Sequence, residues 1–209
     1  MKNDLLKINI ETPIYSIGEG SRLLIVLHGY GQLAQFFIQK FKPLLKHNYT
    51  VIAPEGLHRF YLKGNNGRVG ASWMTKEKRE LDIENYIQYL NTFFTRTKQE
   101  RKWKSINVLG FSQGVATAFR WVADGLVLPN KLLICSGMIP PDVNLNLNQK
   151  IFSTIEITYF TGNQDPYRTE DAVVSFQKLL KTIPFNIKLV EFDGVHEVNI
   201  DEVVKTLLG

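Results

Sequence analysis

Two kinds of apolar spacing alternate along the chain. Arg22 to Leu27 (RLLIVL) is apolar without interruption after its first residue, the pattern of a strand covered on both faces. Gln32 to Lys46 instead places Leu33, Phe36, Phe37, Phe41, Leu44 and Leu45 at mostly helical intervals, with Pro43 bearing on the last turn. The same alternation continues. Tyr49 to Ala53 reads as a strand, Pro54 to Thr75 as an irregular glycine-rich stretch, and Glu77 to Thr95 as a helix striped by Leu81, Ile83, Tyr86, Ile87, Leu90, Phe93 and Phe94. Strands are predicted at Ser105 to Leu109, Lys131 to Cys135, Ile155 to Thr161 and Ile187 to Phe192, and helices at Val115 to Ala123, Thr169 to Thr182 and Glu197 to Leu208. Two short strands, Lys7 to Ile10 and Ile14 to Ile17, flank Pro13 ahead of the first long one. This order predicts an α/β fold with a mostly parallel central sheet and helices on both faces.

Composition changes that picture little. The chain has 209 residues, 44% of them hydrophobic, and neither a repeat nor a linker, so a single domain over 1–209 is expected. Its net charge of +5 is concentrated in TRTKQERKWK, where Arg96, Lys98, Arg101, Lys102 and Lys104 surround Trp103. No nucleic-acid module frames this 96–104 segment, which reads as a solvated connection, and no nucleic-acid partner is expected. Cys135, the lone cysteine, lies in an apolar run and reads as a buried thiol in a reducing compartment. Asp4 interrupts the N-terminus, and no segment approaches signal-peptide or membrane-spanning length. A cytoplasmic protein without stable membrane insertion is the expectation.

Chemistry enters at Gly110-Phe111-Ser112-Gln113-Gly114. The G-x-S-x-G pattern lies between a predicted strand and a predicted helix, the setting in which a serine is held on a tight elbow with glycines admitting neighbouring backbone. In hydrolases built this way an acid and a histidine follow the serine in that order, each on a loop after a strand. Only His196 follows Ser112 among the four histidines, and it stands after the last strand, which makes it the expected general base. Asp165, in the loop after the preceding strand, is the expected acid. Asp142 lies one loop earlier, Asp171 begins a helix and Asp193 belongs to a turn. His28-Gly29-Tyr30-Gly31 follows the Arg22 to Leu27 strand and offers the backbone N–H of Tyr30, with that of Gln113, as donors to an oxyanion.

The same turn carries a rival. Gly29-x-Gly31-x-x-Ala34, with Glu55 ending the next strand, has the layout of a dinucleotide fingerprint. That reading leaves Ser112, Asp165 and His196 without a role. Metal chemistry finds no pattern: His196-Glu197 lacks a second histidine at Ile200, and His28, His47 and His58 are scattered, so neither metal nor cofactor is expected.

Taken together, LHGYG, APEG, ASWMTKE, LGFSQGVATA, GNQDPY and GVHEV resemble the carboxylesterase and phospholipase branch of the α/β-hydrolases, which includes the acyl-protein thioesterases, over about residues 22 to 200. The resemblance implies an α/β-hydrolase fold, a Ser112, Asp165 and His196 triad, Tyr30 and Gln113 as oxyanion donors, and Trp73 in the loop bordering the substrate. It also implies ester substrates, small or lipid-like or carried on an acylated protein. The chain departs from the family at Val115, where many members have glycine, and at Tyr167-Arg168, where they have a valine-rich segment. Both departures bear on substrate choice. Leu57, Phe60, Tyr61, Leu62, Val69, Trp73 and Met74 are candidates to wall an acyl pocket, and Arg59, Lys63 and Arg68 lie on the same loop. Ser136 to Ile155 is too short for a cap domain, so an open site for short to medium acyl chains is expected. A binding module that kept the fold without catalysis is the remaining alternative.

Overall fold

The computed structural model describes residues 4–209. Its centre is a seven-stranded sheet in the order β1-β3-β2-β6-β7-β8-β9. The strands are β1 (Ile14–Ile17), β2 (Arg22–Leu27), β3 (Tyr49–Pro54), β6 (Ser105–Phe111), β7 (Lys131–Cys135), β8 (Glu156–Gly162) and β9 (Ile187–Phe192). Only β1 runs antiparallel, against β3, and every other pairing is parallel. The apolar runs of the central strands have the physical cause inferred from their pattern. Leu23, Ile25 and Leu27 of β2 point into one core and Leu24 and Val26 into the other, so both faces need apolar side chains.

Helices α2 (Arg79–Glu100), α3 (Gln113–Ala123), α4 (Gln149–Phe152) and α5 (Glu170–Thr182) cover the first face through residues such as Tyr86, Phe119, Phe152 and Leu179. Helix α1 (Ala34–Phe37), the 3-10 helix Ile38–His47 that continues it, and α6 (Ile200–Leu208) cover the second, burying Phe37, Phe41 and Val203. Thr169 and Asn199 cap α5 and α6, accepting from the Ala172 and Glu202 N–H groups.

Three expectations are corrected. The helix anticipated over Gln32 to Lys46 is a single α-turn followed by 3-10 structure. Pro43 supplies no N–H and its ring crowds the preceding turn, which shifts the balance toward the tighter winding. Lys7 to Ile10 forms no strand. The last backbone bond on this side of the β1–β3 ladder is from Glu55 N to Pro13 O, and Ile8 and Ile10, before it, stay exposed. The stretch Pro54 to Thr75 is partly regular: β4 (His58–Tyr61) and β5 (Val69–Ser72) pair as an antiparallel hairpin beyond the end of β3.

Candidate active site

Ser112 sits between β6 and α3 at φ 54° and ψ −116°, backbone angles an L-residue adopts only under strain. The two glycines of the elbow are required by contact. A Cβ at Gly110 would lie 2.4 Å from the Gly114 carbonyl oxygen, and one at Gly114 would lie 2.1 Å from the Leu27 oxygen. The elbow is thus wedged against the end of β2.

His196 lies in the loop after β9. Its Nε2 stands 3.0 Å from Ser112 Oγ and its Nδ1 2.7 Å from Asp165 Oδ2. Asp165, in the loop after β8, is itself buried. An ionised carboxylate only accepts, so Nδ1 carries the proton and Nε2 presents its lone pair to the serine hydroxyl. The second Asp165 oxygen accepts from the Tyr167 N–H at 2.9 Å. Three loops at the carboxyl ends of three strands therefore meet at one hydrogen-bonded chain. The loops are held to each other by backbone: a Cβ at Gly162 would collide with the carbonyl oxygens of Gly194 and Val195 at 2.4 and 2.5 Å. Phe111 and Tyr167 pack against the imidazole, at ring-centroid separations of 5.0 and 4.7 Å.

The turn after β2 lies directly beside the serine, since a Cβ at Gly29 would stand 3.1 Å from Ser112 Cβ. The neighbouring N–H groups of Gly29 and Gly31 are occupied, by Gln32 Oε1 and Ala71 O. Among the described residues the Tyr30 N–H donates to no protein acceptor, and neither does that of Gln113, which as the first residue of α3 has no intrahelical partner. His28 shapes the turn from below. It is fully buried, its Nδ1–H donates to Gly29 O at 2.8 Å and its Nε2 accepts from the Gly56 N–H at 2.9 Å. Burial lowers its pKa and keeps the ring neutral.

Trp73 and Met74 have different surroundings from those expected of substrate contacts. Trp73 is fully buried: its indole packs on His28 and its Nε1–H donates to His28 O at 2.9 Å, so it supports the turn from beneath and presents no surface to a ligand. Met74 is half-buried, and its carbonyl accepts from Gln113 Nε2 at 2.8 Å. Gln113 has a second role that the motif alone does not announce. Its side chain also meets Ser72 Oγ and the Trp73 N–H, tying the end of β5 to the elbow.

Asp142 and Asp193 are engaged elsewhere, and Asp171 lies in the first turn of α5. Asp142 takes both Arg120 Nε and a second guanidinium nitrogen at 2.7 and 2.8 Å and also meets Arg79. The Arg120 guanidinium holds its carboxyl well below the usual carboxylate range. Asp193 accepts from Gln164. Glu55, the acidic residue of the dinucleotide alternative, is buried with one oxygen on the Ala34 N–H and the other on Arg59 Nε, so it is engaged within the protein. Among the described residues no group of three or more His, Cys, Asp or Glu side chains is placed to hold a metal ion, and no helix is long and apolar enough to cross a membrane.

Sheet order, elbow and loop positions define an α/β-hydrolase without a cap domain. A family model for phospholipase/carboxylesterase matches residues 13–207, and the chain belongs to that family of ester hydrolases. Zea mays acyl-protein thioesterase 2 superposes with a TM-score of 0.71 at 18% identity, over 95% of this chain and 98% of that one. Esterase PE8 does so with 0.67 at 19% identity, over 96% and 98%. At these identities the likeness is one of fold. No curated protein matches the sequence.

Proposed function

We propose that the protein is a serine carboxylesterase that cleaves carboxylic esters or thioesters of short to medium acyl chains through an acyl-enzyme. The hydrogen-bonded series Ser112 Oγ, His196 Nε2, His196 Nδ1 and Asp165 Oδ2, at 3.0 and 2.7 Å, carries this reading.

In the first half-reaction Ser112 Oγ attacks the ester carbonyl carbon while His196 Nε2 takes its proton. The Tyr30 and Gln113 N–H groups donate to the oxygen that becomes negative. Collapse breaks the bond to the alcohol, which takes the proton from Nε2 as it leaves. Water then repeats the sequence on the acyl-serine and frees the acid. Asp165 keeps the ring in the tautomer this requires and stabilises the imidazolium that forms at each step.

Ser112→Ala tests the assignment. The variant is expected to fold, to lose labelling by a fluorophosphonate probe, and to lose at least a thousandfold in kcat with p-nitrophenyl butyrate, in keeping with the roughly 10⁴- to 10⁶-fold losses typical of triad deletions. Full turnover in that variant would sink the triad.

A further inference from the structure

We infer that Tyr167 forms a leaving-group subsite, and that the enzyme selects esters whose alcohol portion carries an aromatic ring. The inference rests on the serine-esterase reading above and concerns which part of the substrate the site recognises.

The direction of proton transfer sets where the alcohol must be. The proton that Ser112 Oγ gives to His196 Nε2 is the one that the departing alkoxide oxygen takes as its bond to carbon breaks, so that oxygen lies within hydrogen-bond reach of Nε2. The rest of the alcohol therefore extends over whatever flanks the imidazole. Two rings do. Phe111 is only 5% exposed and belongs to the core, whereas Tyr167, in a T-shaped contact with His196 at an interplanar angle of 64°, is 73% exposed. A large aromatic ring presented to solvent beside His196 is a platform for a second ring, since aromatic pairs favour stacked and edge contacts.

The platform is fixed in place. The Tyr167 N–H donates to Asp165 Oδ1, the Arg168 N–H donates to Asp165 O, and the Arg168 guanidinium pairs with Glu191 on β9. Thr169 then caps α5. Three consecutive residues after Pro166 thus hold the loop, and Tyr167 alone among these three has its side chain free of polar partners among the described residues. Val195, half exposed, adjoins His196 in the chain.

Benzyl acetate and n-butyl acetate test this, because they share an acyl group and have alcohols of similar acidity. They pass through the same acetyl-enzyme, and a difference in kcat/KM reports the alcohol portion alone. The wild-type chain is expected to favour benzyl acetate. Tyr167→Ala should cut the benzyl-to-butyl ratio of kcat/KM about tenfold, chiefly through KM, whereas Tyr167→Phe keeps the ratio and Tyr167→Leu lowers it partially. If Tyr167 only holds His196 in place, both esters slow together, the ratio stays constant and the inference is overturned. A wild-type preference for the butyl ester also overturns it. Failure of the wild-type chain to hydrolyse either ester, with no fluorophosphonate labelling, would remove the esterase reading and the inference with it.

Discussion

At the scale of single residues, the site is held by groups that give up stability or solvation for position. Ser112 at φ 54° and ψ −116° is the clearest case, since such backbone angles cost of order 1–3 kcal/mol in a residue with a Cβ. Ser112→Gly releases that strain and adds some unfolded-state entropy, so the net expectation is a gain of about 1 kcal/mol in denaturant unfolding together with complete loss of esterase turnover. Destabilisation would show that the elbow is relaxed. His28 makes a second case, through pH. Its folded pKa is lowered by burial, so between that value and the unfolded 6.5 the unfolded chain binds the proton and the folded one does not. Stability contributed this way is complete above the unfolded pKa and is lost as pH falls below it, with a slope of up to about 1.4 kcal/mol per pH unit. His28→Gln keeps a donor and an acceptor but no titration. The variant should be less stable at pH 7.5 yet lose less on going to pH 5, as urea midpoints at the two values would show.

At the scale of elements, the same contacts explain what could be read in the chain and what could not. Strands β2, β3, β6, β7 and β8 were legible because a strand covered on both faces is rich in apolar residues, and the meeting of Ser112, Asp165 and His196 was legible because each follows a strand. Lys7 to Ile10 has the alternation of a strand but no neighbour to pair with, and pairing is invisible in a local pattern. The β4–β5 hairpin has the reverse problem: its turn holds Gly64 and Gly67 at positive φ and its strands are four residues each, too short for periodicity to register. Side-chain ties such as Gln113 to Met74 O, or Arg120 to Asp142, join residues far apart in sequence and leave no spacing to find. The Arg120 tie links α3 to the loop after β7, and the guanidinium of this side chain, which is 5% exposed as a whole, also touches Tyr86 Oη and Met74 Sδ. Asp142→Ala strands that charge. A loss of about 2 kcal/mol is expected, below the 3–5 kcal/mol of a fully buried pair because the Asp142 side chain is 36% exposed. The paired variant Arg120→Met with Asp142→Ala should recover more than half of it, and thermal unfolding of the three variants would show whether it does. The depressed Asp142 pKa gives this contact its own pH window: it is intact above the unfolded carboxylate value near 3.8 and fades as the acid approaches the folded one.

At the scale of the whole molecule, charge is distributed along the direction of the sheet. The parallel strands point their carboxyl ends at the site, so the basic segment before β6 lies at the opposite end. Part of it is consumed there: Arg101 stacks on Trp103 with its guanidinium carbon 3.8 Å from the ring centroid, and donates to Glu19 O and Thr50 Oγ1. Near the site Arg59 is paired with Glu55, which leaves Lys63 and Arg68 at the hairpin tip among the cations on that side. A net charge of +5 acts on an approaching charged substrate at long range as a diffuse field. Such a field is screened within about 10 Å at 0.1 M salt. Going from 20 to 500 mM NaCl should therefore lower kcat/KM for a monoanionic ester, such as the monobenzyl ester of succinic acid, by about threefold, while benzyl acetate changes little. A tenfold or larger drop would mean that the hairpin cations contact the anion directly. In that case Lys63→Gln with Arg68→Gln should abolish most of the salt dependence, whereas a diffuse field predicts that removing two of the charges reduces it only in part.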